Sequence, residues 1–294
     1  MGRYTVLNMS IKTSTWIRLS GVGLALAGLC LVWSQGQPPK QPLNVQKVTD
    51  NLWVIMTSDS GNVAVLPTAE GVLLVDDKFD QYGPEILAKV KAISDEPIKY
   101  ILNTHQHGDH TGGNAFMLMN TPAEILIHKN ARANMVAGKQ PGLPQVTYAD
   151  DAQVFIGGKE VSAHHLGRGH TNGDAVILFP SERVLHTGDL FVNGSAPFID
   201  YSAKGSIVEW DKTLDRVLQL DFDIVIPGHG PVAKKADLVK WRDSIAELRA
   251  RAKKACAGGA ADAVKRLDLS GLNMDNSLGF LDRSVPAMCA ELAN

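Results

Sequence analysis

The chain has 294 residues, and its 29 Lys and Arg against 31 Asp and Glu give a formal net charge of -2. That balance excludes the basic surface that grips a phosphate backbone, so no nucleic-acid partner is expected. Hydrophobic residues at 45% and aromatics at 6% suit a globular chain with a sizeable core, and the expected partner is a small molecule.

Residues 1–34 read as a secretory signal peptide. Arg3, Lys12 and Arg18 precede the apolar run Leu19–Trp33, and the polar, proline-rich SQGQPPKQP follows at once. The run falls short of the roughly 18–20 apolar residues of a membrane span, which weighs against an uncleaved anchor. Leu29 stands where a lipidation signal at Cys30 would want a small residue. The pattern predicts export to a periplasm or the medium, with no stable membrane partner once the signal is cleaved. Nothing in the sequence speaks to oligomeric state.

A linker over 35–43 leads into one predicted domain, 44–294. The segments VQKVTDNLWVIMTS, GNVAVLPT and GVLLVDD read as consecutive strands broken by the Asp50-Asn51, Ser60-Gly61 and Glu70-Gly71 turns. Pro84 opens an amphipathic helix, PEILAKVKAIS, with Ile86, Leu87, Val90 and Ile93 on one side. IKYILNT (98–104) predicts a buried strand, and a histidine cluster begins where it ends, on the kind of loop where α/β sheets carry their sites. AEILIH (123–128) predicts another strand, followed by a short helix from Asn130. DDAQVFIGGKEVSAHHL reads as strand, Gly-Gly turn and strand, and DAVILFP and RVLHTGDLF as two more strands. A helix over 206–220, the strand DIVIPGHGP and a long helix over about 234–255 complete a second half that resembles the first in layout. Two packed sheets with helices outside are therefore expected. The tail beyond Gly258 predicts short helices.

Of three cysteines, Cys30 lies in the signal segment. Cys256 and Cys289 remain as a pair that either forms a disulfide in an oxidising compartment or stays as two buried thiols.

The chemistry concentrates in NTHQHGDHTGGN, residues 103–114. Three histidines and an aspartate within 105–110 make a poor core and a good metal site. His105 and His107, two residues apart, can point the same way, while Asp109 and His110 point to a neighbouring position; two plus two suggests two metals. Three further candidates each follow a strand and are flanked by glycine: His170 in GRGHTNGD, Asp189 in HTGDLF and His229 in IPGHGP. Five histidines and two aspartates suit two borderline-hard ions, zinc before iron or manganese, with a carboxylate able to bridge them. His128, His164 and His165 match no ligand position and read as strand or rim residues. Asp76, which ends a strand, and His186, three residues before Asp189, are candidates for holding the ligands from behind.

H-x-H-x-D-H at 105–110, Gly-His-Thr at 169–171, Thr-Gly-Asp at 187–189 and Pro-Gly-His-Gly at 227–230, in that order, resemble the metallo-β-lactamase superfamily over roughly residues 45–240. The resemblance implies an α/β fold, a four-layer αββα sandwich with a dinuclear site at one edge. It implies that His105, His107 and His170 hold the first metal, that Asp109, His110 and His229 hold the second, and that Asp189 bridges. A water between two such ions loses its proton near neutral pH. Asp109 would orient it as the catalytic carboxylate, and a metal-bound hydroxide would attack a carbonyl. No G-x-S-x-G nucleophile motif is present.

The expected function is an exported dinuclear zinc hydrolase acting on a small carbonyl compound, first of all a β-lactam amide. Two departures keep other substrates open. The best-known β-lactamase subclass has a cysteine where Asp189 stands, and a substrate-gripping lysine where this chain has Val192. Arg168 or Lys204 could supply that charge. Asp189 resembles the bridging aspartate of glyoxalase-type thioesterases and of lactonases, so a lactonase, esterase or thioesterase is the alternative. The long C-terminal extension of the glyoxalases is absent, which argues against a glutathione thioester. A mononuclear iron sulfur dioxygenase keeps the same cluster and stands further back, as does a binding module without catalysis. His107, where di-iron reductases carry glutamate, argues against that branch.

Overall fold

Strands buried on both faces read as unbroken apolar runs, and GVLLV does so because each of its five residues is covered. The computed structural model describes residues 40–293; the proposed signal segment lies outside the described residues. The first sheet runs in chain order through β1 (Asn44–Lys47), β2 (Trp53–Met56), β3 (Val63–Thr68), β4 (Gly71–Val75), β5 (Ile98–Asn103), β6 (Glu124–His128) and β7 (Val146–Tyr148). β1 to β4 form an antiparallel meander, and β4 to β7 pair in parallel. Parallel neighbours need crossovers. α1 (Gly83–Ile93) makes the first, α2 (Gly108–Thr111) with α3 (Asn114–Asn120) the second, and α4 (Lys129–Ala137) the third.

The second half builds the second sheet. β8 (Asp151–Ile156), β9 (Lys159–His164), β10 (Val176–Phe179) and β11 (Val184–His186) are antiparallel. α5 (Ile207–Val217) then crosses to β12 (Ile224–Ile226), parallel to β11, and β13 (Ala233–Lys234) closes the edge. The tail follows as α6 (Lys235–Cys256), α7 (Ala260–Arg266), α8 (Phe280–Arg283) and α9 (Val285–Leu292).

Alternation along the strands sorts side chains into three buried layers. Leu66, Leu73, Val75, Leu102 and Leu126 meet Val154, Val161, Ile177, Phe179 and Ile226 between the sheets. Val63, Val72, Leu74 and Ile101 turn outward onto Ile86 and Val90 of α1 and Met117 of α3. Val176, Leu185 and Val225 face Trp210 and Leu214 of α5 and Trp241 and Ile245 of α6. The result is the expected αββα order. Each fully buried Leu or Trp stabilises it by about 1.5–3 kcal/mol.

The expected helix at Pro84 packs Ile86 and Val90 fully, with Leu87 and Ile93 at its margin. Three short elements, α2, α3 and β7, have no clear periodic signal, because four to seven residues complete too few turns or alternations to show one. Cys256 and Cys289 are disulfide-bonded, with Cα atoms 5.2 Å apart, pinning α9 to the end of α6. Among the described residues no helix is long and apolar enough to cross a membrane.

Candidate metal centre

The histidine cluster changes backbone conformation in its middle. His105 follows the end of β5 in a bend, and His107 is the extended residue that precedes α2. Asp109 and His110 then sit on that single helical turn. This is why the first pair of side chains faces one spot and the second pair another. Two glycines give the cluster room: a Cβ on Gly61 would lie 2.3 Å from the His110 ring, and one on Gly228 would lie 2.0 Å from Asp189 Oδ1.

All seven predicted ligands converge. Candidate ligand atoms of His105, His107 and His170 lie within 4.8 Å of one another, as do those of Asp109, His110 and His229, and those of His105, His110 and Asp189. His107 Nδ1 lies 2.7 Å from His170 Nε2 and 3.2 Å from His105 Nε2. Across the site His110 Nε2 is 3.3 Å from His229 Nε2, and Asp109 Oδ2 is 3.1 Å from the latter. Asp189 stands between the groups. Its Oδ2 is 3.6 Å from His170 Nε2, and its Oδ1 is 3.2 Å from His110 Nε2 and 3.5 Å from His229 Nε2.

The far side of each ring decides what the near side offers. His170 Nδ1 donates to the Phe198 carbonyl at 2.6 Å, His110 Nδ1 to Asp76 at 2.8 Å, and His107 Nε2 to Asp200 at 2.9 Å. His105 Nδ1 donates to Thr104 Oγ1 at 3.1 Å, because that hydroxyl already donates to Asp76 at 2.8 Å. With protons held outward, the inward nitrogens of His105, His107 and His170 present lone pairs to one another. Lone pairs at 2.7 Å repel unless a cation lies among them. Asp189 Oδ1 is likewise buried with no well-formed hydrogen bond. Imidazole nitrogens and carboxylates in two tight groups fit metal ions.

Charge separates the two groups. Burial, with His110 close by, holds His105 well below the ordinary imidazole range, and burial with His107 lowers His170 to about 4. Burial opposes protonation of His229 too, but Asp189 and Asp109 outweigh it and raise the ring to about 9. His110 is raised against its burial by Asp189, Asp109 and Asp76. Burial would raise Asp109, yet the charge of His110 and the hydrogen bond from His229 keep it well below the usual carboxylate range.

Asp76 lies where a support was expected, accepting from His110, Thr104 Oγ1 and, at 2.8 Å, Thr104 N. His186 touches none of the seven; it binds the Asn62 carbonyl and accepts from Gly188 N, steadying the turn that carries Asp189. Arg168 and Lys204 are both exposed, and Arg168 donates to the Lys204 carbonyl. His165 stacks on His128 with ring centroids 3.9 Å apart, and His164 pairs with Asp151.

Sequence reasoning missed four supports. Asp200 and the Phe198 carbonyl lie in a loop with no motif of its own. Asp174 accepts from Gly169 N, Thr171 N and Thr171 Oγ1, closing the turn that presents His170. Its position four residues after His170 in a Gly-flanked turn was the available signal. Lys78, fully buried, donates to the Gly61 carbonyl beneath His110.

The model of the Metallo-beta-lactamase superfamily matches residues 57–229. The Metallo-beta-lactamase type 2 of Bacillus cereus is 26% identical over 215 residues, 68% of this chain and 82% of that protein. Metallo-beta-lactamase IND-1 of Chryseobacterium indologenes is 28% identical over 58% of this chain and 72% of its own length. Among solved structures, a metallo-beta-lactamase from Pontibacter korlensis aligns with a TM-score of 0.62 at 24% identity, covering 67% of this chain and 96% of that one.

Proposed function

The chain belongs to the metallo-beta-lactamase superfamily as a metal-dependent hydrolase, and from that premise we propose that it is an exported dinuclear zinc enzyme that opens a cyclic or activated carbonyl, first of all a β-lactam amide. The observation that carries the reading is Asp189, one oxygen turned to each of two ligand groups. His105, His107 and His170 would hold one ion and Asp109, His110 and His229 the other, with Asp189 between. Residues 1–34 act as the signal, 35–43 as a linker and 44–294 as the hydrolase. The Cys256–Cys289 disulfide supports export, since such bonds persist in oxidising compartments.

When bound, the ions supply Lewis acidity toward a carbonyl oxygen and draw the pKa of water toward neutrality, so no serine or cysteine nucleophile is needed. The chain's residues set direction and access. Ionised Asp109 accepts a hydrogen bond from the attacking water and aims it. Asp76, Asp200 and the Phe198 carbonyl keep the ring protons outward. The side chains of His107, Asp109 and His229 remain 23%, 24% and 20% exposed, while those of His110 and His170 are at 0% and 2%. The substrate therefore approaches over the former three. Beside them Phe198 packs on His107 with centroids 5.9 Å apart, and the exposed Arg283 guanidinium lies 3.8 Å over the Phe198 ring. Arg283 takes the part of the absent lysine and meets a substrate carboxylate.

A second reading, a lactonase, esterase or thioesterase, is favoured by Asp189 and Val192 at the positions where the β-lactamase subclass has cysteine and lysine. Elemental analysis of the mature protein, with a chromogenic cephalosporin, a simple lactone and a thioester assayed side by side, tests both. Two zincs per chain and fast cephalosporin turnover lost in His107→Ala bear out the first reading. A tenfold preference for lactone or thioester, about 1.4 kcal/mol in barrier, transfers the case to the second. One iron and no hydrolysis overturns both.

A further inference from the structure

The two groups that aim the three-histidine half, the Phe198 carbonyl and the Asp200 carboxylate, sit two residues apart on one loop before α5. Inside the loop Asp200 N donates to the His170 carbonyl at 2.9 Å. Asp200 Oδ1 accepts from Ser202 Oγ at 2.5 Å and Ala203 N at 3.1 Å, which leaves Oδ2 for His107. The loop belongs to neither sheet. Backbone bonds tie it to the Gly169–Asn172 turn, and its side-chain anchors come from the far end of the chain.

At one end of the loop Ile199 N donates to Ser284 Oγ at 3.0 Å. At the other, Glu291 of α9 accepts from Tyr201 Oη at 2.9 Å, from Ile207 N at 3.0 Å and from Ser206 Oγ. Three donors on one carboxylate make a strong, charge-assisted clamp. Ser206 is also the residue that caps α5, accepting from Glu209 N, so Glu291 fixes the start of α5 together with the loop. The disulfide to α6 fastens α9 in turn. Residue 229 ends the family match, so every one of these tail contacts lies beyond it.

We propose that Glu291 is a positioning residue for the three-histidine half of the centre, acting through loop 198–206, with Ser284 and the Cys256–Cys289 disulfide holding the helices that carry it. The inference rests on the two-metal reading above. A clamp that served only to dock the tail would change overall stability; a positioning clamp changes the affinity of one half of the site and spares the other.

The test is metal affinity in the full-length mature protein. Metal-free protein is titrated with zinc(II) against a chromophoric chelator, and His107→Ala identifies which of two binding constants belongs to the three-histidine half. Glu291→Ala should weaken that constant by about tenfold, the low end of what supporting residues contribute, and leave the other within about twofold. Glu291→Gln keeps an oxygen for Tyr201 and Ile207 and should restore the constant to within about threefold of wild type. Tyr201→Phe removes one hydroxyl without opening a cavity and should weaken the same constant by about threefold. If Glu291→Ala does not fold, Tyr201→Phe and the paired Cys256→Ser and Cys289→Ser protein carry the test. Unchanged constants in these variants overturn the proposal, and so does an equal fall in both constants, which reports only a loosened fold. Wild-type protein that binds fewer than two ions overturns the two-metal reading instead, before any variant is made.

Discussion

The three-histidine half and the aspartate half share Asp189, yet they are assembled from different parts of the chain and hold their protons differently. His105 and His170 are held below the ordinary imidazole range, and all three rings of that half, His107 included, are aimed by Thr104 and by a loop anchored in the C-terminal tail. In the other half His110 is aimed by Asp76 at the end of β4, and without metal His110 and His229 hold protons that Asp109 and Asp189 favour. A cation entering the first half meets ready lone pairs. One entering the second must displace protons, so its binding releases them and weakens as pH falls.

Replacing the shared residue should break both halves at once. Asp189→Ala is expected to lower kcat/KM by about a thousandfold and to bring metal content below two ions per chain, read by steady-state kinetics and elemental analysis. Separating the halves is the next largest effect. Asp200→Ala should weaken the three-histidine constant by about 10–100-fold in chelator competition and spare the other; Asp76→Ala, which frees His110 directly and His105 only through Thr104, should weaken the aspartate-half constant by about 10–100-fold and the three-histidine constant by less. Equal effects on both constants from either variant would erase the distinction.

Proton content sharpens the same contrast in metal-free protein. His170 and His186, at about 4 when folded against an ordinary 6.5, resist protonation, so their contribution is lost as pH falls from 6.5 toward 4. His229, raised to about 9, contributes fully below 6.5 and loses that contribution as pH rises through 9. Melting temperature without metal should therefore fall by several degrees as pH drops from 6.5 toward 4; above 6.5 the loss at His229 is opposed by buried Lys78, which burial lowers to about 7 and which relieves its cost by shedding its proton. Zinc should remove the His229 contribution, since the ion replaces the proton; scanning fluorimetry across pH checks it. The smallest effect belongs to the rim. Arg283→Ala should raise KM about threefold to tenfold for substrates bearing a carboxylate and leave a neutral lactone unchanged.

Much of this was legible in the chain. The seven candidate ligands that converge could be named because each is a rare residue type at a strand end beside glycine, and such local demands are written locally. Asp76 was legible for the same reason, as the residue closing a strand of five buried residues. Asp200 was not, since FIDYSAKG carries no periodicity, and an aspartate 93 residues from its histidine announces nothing. The role of Glu291 was still less visible, 85 residues from Ser206 on a helix whose pattern records only its packing.

The sequence by itself determined the family motifs, the order of strands and helices, and the identity of the residues fit to hold metal, because periodicity and ligand chemistry act over a few neighbouring positions. Only the tertiary structure decided how seven side chains divide around Asp189, which nitrogens carry protons, and which distant groups aim the rings. Those choices depend on distances between segments far apart along the chain, and such distances exist only once the two sheets and the tail have packed.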